Sequence, residues 1–555
     1  MRRLTYIGTL LTLMAPLAIM AQNNPLGDRD TIMLTNDRIL EVIESEKPFI
    51  KPPYQEIKKG KIEEFNFQSQ DFPVETDFEP APPKVTPWKP AKKLPYNDNF
   101  VKLGIGRYIT PLAQLYINNG ISKDLDYGVY FSHLSAYQDQ VELRKFNNNQ
   151  LTVQGSKIDK AYRATAAVDF YNSSYFNYAG DDTSRFEGSR ETIEDSLKMR
   201  YTRFGINGSI ASNSDQDEQY FYDAGVGIQF YGDRRKNRET YFELTPKGGL
   251  NVAEGFTLNL DTKLAFTAGR IDTTRQNQNL VELMPTVRFQ NDQLRVMGGV
   301  KFNYANNSID STGVTNLAPV IDVRYSLTPG GFTVFAGYEG GVALNTYADM
   351  IGQNPYLGTQ AYLQPSVEKL NVYAGIEGNV GGSLDFLAKA YHRRVSNQLI
   401  FQTYDSLYFQ PVYDSLTKIS GVYGELNYDM GEGIRAGAAL NLNVFSTANQ
   451  DSLTARYYGA APVRVDLFAE YNWEDKLHAK LTTFLYGATP VAQDAAGEIV
   501  SRSSFMDVSI EADYQITKQI SVFVQANNLL NAEFERWQYY PERRLDFMAG
   551  LTFGF

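Results

Sequence analysis

The sequence predicts an all-β chain: a transmembrane antiparallel β-barrel of about 22 strands behind an extended, proline-rich N-terminal segment. Three observations carry that expectation. From Asn99 onward apolar and polar residues alternate with period two. Short turns alternate with long polar links. Finally, the chain closes on "LDFMAGLTFGF", Leu545 to Phe555, where every second residue is apolar and the last is aromatic. Chain ends are ordinarily the loosest and most soluble part of a protein, so an apolar terminal strand needs a partner.

The N-terminus comes first. "MRRLTYIGTLLTLMAPLAIMAQ" places Arg2 and Arg3 before an apolar stretch from Leu4 to Met20, with cleavage expected after Ala21. This is the pattern of a secretory signal peptide over residues 1–21. Beyond it no apolar run approaches the roughly 20 residues of a membrane helix, and with no cysteine a lipid anchor is excluded. Residues 22–98 follow, in stretches such as "FEPAPPKVTPWKPAKKLPY". Proline removes backbone donors and blocks regular pairing, so this segment is read as extended, periplasmic or lumenal, with a plain linker as the alternative.

Residues 99–555 form the barrel. Val463, Val465, Leu467, Ala469, Tyr471 and Trp473 alternate with Arg464, Asp466, Phe468, Glu470 and Asn472. Leu477–Gly487, Met506–Ile516, Ile434–Val444 and the terminal strand repeat the pattern. Among the early strands Asn99–Tyr108, Pro111–Asn119 and Tyr127–Tyr137 are clear, whereas Leu151–Ile158 is weakly patterned. Tight turns occur at "NVAEGFT", "QNDQ", "VGGS", "MGEG", "WEDK" and "ITKQ". Long links run over Gly180–Ser196, Thr346–Ser366, Thr403–Leu416, Ser446–Ala461 and Ala488–Val500. One end trimmed and the other decorated is the layout of an outer-membrane barrel. A soluble sandwich also alternates. Its core demands close packing, whereas these apolar faces mix Leu and Val with many Ala, Gly and Tyr. Tyr428, Tyr471, Trp473, Tyr514, Trp537, Tyr539 and Tyr540 fall near strand ends, where aromatic girdles mark the water–lipid boundary.

The alternation also assigns faces. Arg435, Arg464, Asp466, Glu470, Lys480, Asp507, Glu511, Asp513 and Asp546 are expected to face the lumen. Their mixed sign suits a water-filled or plug-contacting interior rather than an ion-selective ring. Leu551, Phe553 and Phe555 face lipid, and a barrel that joins last strand to first brings the C-terminus into the wall.

Composition excludes several functions. The net charge of −11 leaves no basic excess for nucleic acid. With no cysteine and three histidines (His133, His392, His478), thiolate chemistry is absent and a metal site has few ligands. No P-loop, G-x-S-x-G or H-E-x-x-H occurs, so neither an enzyme nor a cofactor is expected. "YFSHLSAY" sets Ser132, His133 and Ser135 together, but strand neighbours point to opposite faces, and a rim histidine is the plainer reading. "YHRR" at Tyr391–Arg394 suits lipopolysaccharide phosphate or a solvated strand end. The carboxylates of Asp181, Asp182, Glu194 and Asp195 are a calcium candidate or ordinary loop charges.

"NLLN" (Asn528–Asn531), an aromatic loop with Trp537, Tyr539, Tyr540 and Arg543, and a last strand ending in Phe555 resemble the C-terminus of TonB-dependent receptor barrels. "NFVKLGIGRYITPLAQLYIN" likewise resembles the opening strands of a plug-poor branch of that superfamily. The resemblance implies solute uptake or passage across the bacterial outer membrane. Its terminal strand also resembles the signal read by the barrel-assembly machinery. Members carry a folded plug before the first strand, where this sequence has the proline-rich segment, which would then occlude the lumen or contact periplasmic partners. Asp30, Thr31, Ile32, Met33 and Leu34 resemble the short box through which a TonB-like periplasmic protein is met by strand addition. Expected surroundings are outer-membrane lipid and lipopolysaccharide. The alternative is a non-transport scaffold or assembly subunit that binds an outer-membrane partner protein.

Overall fold

A computed structural model of the chain describes residues 99–555, apart from 120–123, 138–142, 179–188, 214–218, 309–312, 328–330, 359–360, 404–407, 432, 449–460 and 494–498. Twenty-two strands form one antiparallel sheet. It closes where the first, Phe100–Gly106, pairs with the last, Asp546–Gly554, from Phe100↔Gly554 to Gly106↔Met548. Each remaining strand pairs with its sequence neighbours in the wall, as in an up-and-down barrel. The terminal residue is held as well, with Phe555 N–H donating to the Asn99 carbonyl at 3.0 Å.

Parity decides which side chains look out. Leu103, Leu551 and Phe553 share one face and are about half exposed, as lipid-facing residues of an isolated barrel must be. The opposite face is concave, and one ion pair proves it. Lys102 Nζ on the first strand lies 3.1 Å from Glu511 Oε1, three strands away round the wall. At about 4.8 Å per strand that arc is about 14 Å, which two side chains bridge only across the inside of the curve. On the way the lysine passes over the Phe523 ring at 4.1 Å.

Phe523 is fully buried, lying flat against the inner wall. Two glycines make the space: a Cβ on Gly550 would meet the ring at 2.5 Å and the Leu103 carbonyl at 2.0 Å, and one on Gly104 would meet the ring at 2.6 Å. The seam between first and last strand is therefore built from small residues under one aromatic plate.

The two ends differ as the turn pattern requires. At one end the longest connection is 213–219; at the other, links reach 344–365 and 397–416. Short turns use left-handed residues. Between Trp473 and Leu477, Glu474 (φ 49°) and Asp475 (φ 56°) are both positive, held by Asn472, whose amide donates to the Asp475 carboxylate at 3.0 Å. The weakly patterned early strand is longer than expected, Phe146–Ile158. Its first residues, Asn147 to Asn149, are polar on both faces and carry no alternation to read.

The long links are not plain polar loops. They contain helices α1 (Arg190–Leu197) and α2 (Tyr347–Gln353) and hairpins at Gln398–Thr403/Phe409–Asp414 and Thr489–Gln493/Ile499–Arg502. Their apolar residues make the largest buried cluster among the described residues. Trp537 and Tyr540, expected at the lipid boundary, belong to this cluster instead, since both lie in link 528–545 beyond the strand end. Tyr428, Tyr471, Trp473 and Tyr514 do stand exposed on the outer face at the short-turn end.

Gly550→Val places side-chain atoms inside van der Waals contact with the Leu103 carbonyl. It is expected to abolish closure, seen as loss of the compact, heat-modifiable band in semi-native electrophoresis.

Candidate functional site

The decorated end of the barrel and the charged inner wall are the candidate site. Link 344–365 is strapped to inward-facing side chains of two wall strands, the eighth and the tenth, and to Asn237 just before the eighth. Glu239 is the second residue of the strand Arg238–Ala253, and its carboxylate accepts from the Tyr347 and Ala348 N–H groups, each at 3.0 Å. These are the unsatisfied donors of the first turn of α2, where an anion is favoured. Thr346 caps the same turn, accepting from Asp349 N–H. On the strand Thr274–Gln290, the Gln276 amide donates to the Ala361 carbonyl (2.7 Å) and accepts from Leu363 N–H (2.9 Å). Gln278 donates to the Asn345 carbonyl at 2.9 Å. Asn237 donates to the Tyr347 hydroxyl at 2.9 Å. The segment thus borrows hydrogen bonds from the wall that it cannot make within itself.

Aromatic rings make the second attachment. Tyr356, in link 344–365, stacks on Tyr540 of link 528–545, and Tyr178 stands edge-on to both. Trp537 meets Phe409 at 5.3 Å and Phe401 at 5.8 Å. Tyr178 donates to the Pro541 carbonyl (3.0 Å), and Arg144 to the carbonyls of Pro541 (3.1 Å) and Glu542 (2.8 Å). Arg235 donates to the Leu357 carbonyl at 2.7 Å. The links at 344–365 and 528–545 leave the thirteenth and twenty-first strands of the wall, so their meeting spans the mouth. Burial pushes the phenols of Tyr347 and Tyr356 well above their usual range, so both remain un-ionised at any physiological pH.

Below this cap, eight of the nine charges expected in the lumen stand in ion pairs. Arg435 and Lys480 both meet Glu470, at 2.7 and 3.1 Å. Arg464 pairs with Asp466 at 2.8 Å. Lys102 joins Glu511 and, at 4.0 Å, Asp513. Asp546 lies 3.8 Å from Arg543, and Asp507 accepts from Asn528 N–H at 3.1 Å. All nine charges expected in the lumen occupy the face opposite the exposed apolar rows. Sequence reasoning missed Glu239, Gln276 and Gln278, which carry no motif. The cue was parity: each shares a face with Glu243 or Glu282 rather than with its apolar neighbours.

The remaining candidates separate. His133 and Ser132 point apart. Instead His133 Nε2 lies 3.0 Å from Ser135 Oγ and Nδ1 lies 2.8 Å from Asn149 Oδ1, all on the outer face. A nucleophile–base–orienter order is present, but Ser135 is 1% exposed, so its hydroxyl is not presented to a substrate. His392 meets Ser420 at 2.8 Å on the outer face, while Arg393 turns inward to Glu368. Glu194 and Asp195 pair with Lys145 and Arg234 rather than with each other. Asp181 and Asp182 lie outside the described residues, as do Asp30, Thr31, Ile32, Met33 and Leu34. Among the described residues no group of three or more potential ligands is placed to hold a metal.

A closed 22-strand wall with apolar residues outside, ion pairs inside, short turns at one end and long links at the other defines an outer-membrane β-barrel. The chain belongs to the TonB dependent receptor-like β-barrel family, whose model matches residues 87–529. Its fold is similar to that of the FrpB iron transporter from Neisseria meningitidis (F5-1 variant), at 10% identity and a TM-score of 0.64, covering 82% of each chain. It is also similar to the ferric-catecholate import receptor Fiu from E. coli K12 (10% identity, TM-score 0.61, 83% of this chain and 82% of that one). FpvA of P. aeruginosa bound to heterologous pyoverdines matches at 12% identity and a TM-score of 0.62, over 82% and 71%. A comparison with curated proteins finds no match. The protein is accordingly an outer-membrane protein of bacteria.

Glu239→Ala leaves two buried N–H groups without an acceptor. The expected cost to cap docking is about 1–3 kcal/mol, read as faster proteolysis within 344–365 while the barrel band stays intact.

Proposed function

We propose that the protein admits a solute across the outer membrane through its bore, with the outer links acting as a gate. The observation that carries this reading is the cap. A 22-strand bore left open would leak, and here links from distant parts of the wall meet over it, docked on side chains of the inner face. Membership of the receptor family and the names of the similar structures, an iron transporter and a ferric-catecholate import receptor, support uptake. The proline-rich segment 22–98 is assigned the inner side of the same task, occluding the lumen or reaching a TonB-like periplasmic protein through Asp30–Leu34.

Single-channel recordings test the proposal. Full-length protein is expected to conduct little, and both Δ22–97 and Glu239→Ala/Gln276→Ala to conduct more. Equal currents from all three forms would remove the gate. A scaffold makes the contrary forecast: no conductance in any form, and a stoichiometric partner protein recovered from gently solubilised membranes.

A further inference from the structure

Three arginines stand abreast on the outer surface of the wall with no carboxylate to answer them. Arg238 begins Arg238–Ala253, Arg270 sits at the end of Phe256–Ile271, and Arg275 lies at the start of Thr274–Gln290. The register sets Arg270 directly opposite both others. Each has the parity of its strand's exposed apolar residues: Leu250 and Val252, Leu260 and Phe266, Leu283 and Val287. All three are exposed, and none forms an ion pair or side-chain hydrogen bond among the described residues. Like charges directly opposite one another destabilise a sheet, so the row calls for an anion from outside the chain.

Its height on the wall says where that anion is. On the outer face of these strands, Phe256 and Phe289 pack together near the short-turn end, at 4.8 Å between ring centroids. Leu258, Leu260 and Leu264 follow, and then Phe242 and Phe266 pair at 6.2 Å. Phe256 to Phe266 is about 33 Å along the strand, or about 25 Å of height at the usual tilt, which matches the apolar band of such barrels. Thr240, Ala268 and Asn277 form a neutral row above the second pair of rings. The arginines come next, about 10 Å above the upper rings by the same rise and tilt. That is headgroup depth, and it lies at the long-link end of the barrel.

We propose that Arg238, Arg270 and Arg275 form a binding site for the phosphate groups of an outer-leaflet lipid. A guanidinium offers paired donors that match phosphate oxygens, and three such forks in one row suit a lipid carrying more than one phosphate. The apolar wall directly beneath accepts its acyl chains. The site lies outside the bore and is independent of what passes through it.

Full-length protein in zwitterionic detergent is incubated with bisphosphoryl lipid A, with its dephosphorylated form, or with inorganic pyrophosphate, and retention is read by native mass spectrometry. The native protein is expected to retain the bisphosphoryl lipid and not the dephosphorylated one. R238Q/R270Q/R275Q, its heat-modifiable band intact, is expected to retain on the order of 100-fold less. Equal retention by the triple variant, or of the two lipids by the native protein, would overturn the site. Pyrophosphate bound as tightly as the lipid would make it a free-anion site and overturn the lipid assignment. Should the triple variant not assemble, the comparison of the two lipids on native protein and on R270Q decides the matter.

Discussion

A strand in hydrocarbon has no water to satisfy its backbone, so each N–H and C=O must find its partner on a neighbouring strand. That constraint shapes the molecule from its C-terminus backward. It requires a last strand that joins the first, and therefore Phe100↔Gly554 pairing and an aromatic final residue on the outer face. Closure in turn requires that the seam be smooth inside, which Gly104 and Gly550 provide beneath Phe523. Once the wall is closed, parity alone sends Leu103 and Leu551 outward and Lys102 and Glu511 inward. The lysine's reach across three strands follows from curvature, not from any special property of the pair.

The same constraint limits where irregular backbone can go. Turns are short at one end, and structure beyond the strands accumulates at the other. There the links solve their own hydrogen-bond problem by leaning on Glu239, Gln276 and Gln278 and by sharing a core of rings. The cap is in effect a small folded unit assembled from segments that are far apart in sequence, each too short to fold alone.

This explains how much could be read beforehand. Strand register was legible because lipid and water impose opposite requirements on alternate residues: Val463–Trp473 and Asp546–Gly554 fall within a residue of where periodicity puts them. The faces of Arg464, Glu470, Lys480 and Asp513 came with the register. Phe146–Ile158 was only half legible, because Asn147, Asn148 and Asn149 give no contrast. The cap was not legible at all. Tyr356 and Tyr540 meet through tertiary packing between distant links, and nothing periodic announces that. The Ser135–His133–Asn149 chain was hidden for a related reason, since one member comes from the adjoining strand.

Link 344–365 is fastened by two unlike kinds of contact: carboxylate and amide bonds toward Glu239 and Gln276, ring faces toward Tyr540. Apolar attachment weakens in the cold, whereas polar bonding does not share that dependence. The two fastenings therefore do not loosen together. Chilling bears most on the stacked seat at Tyr540, while the Glu239 side keeps its carboxylate bonds beside the buried Tyr347 and Met350.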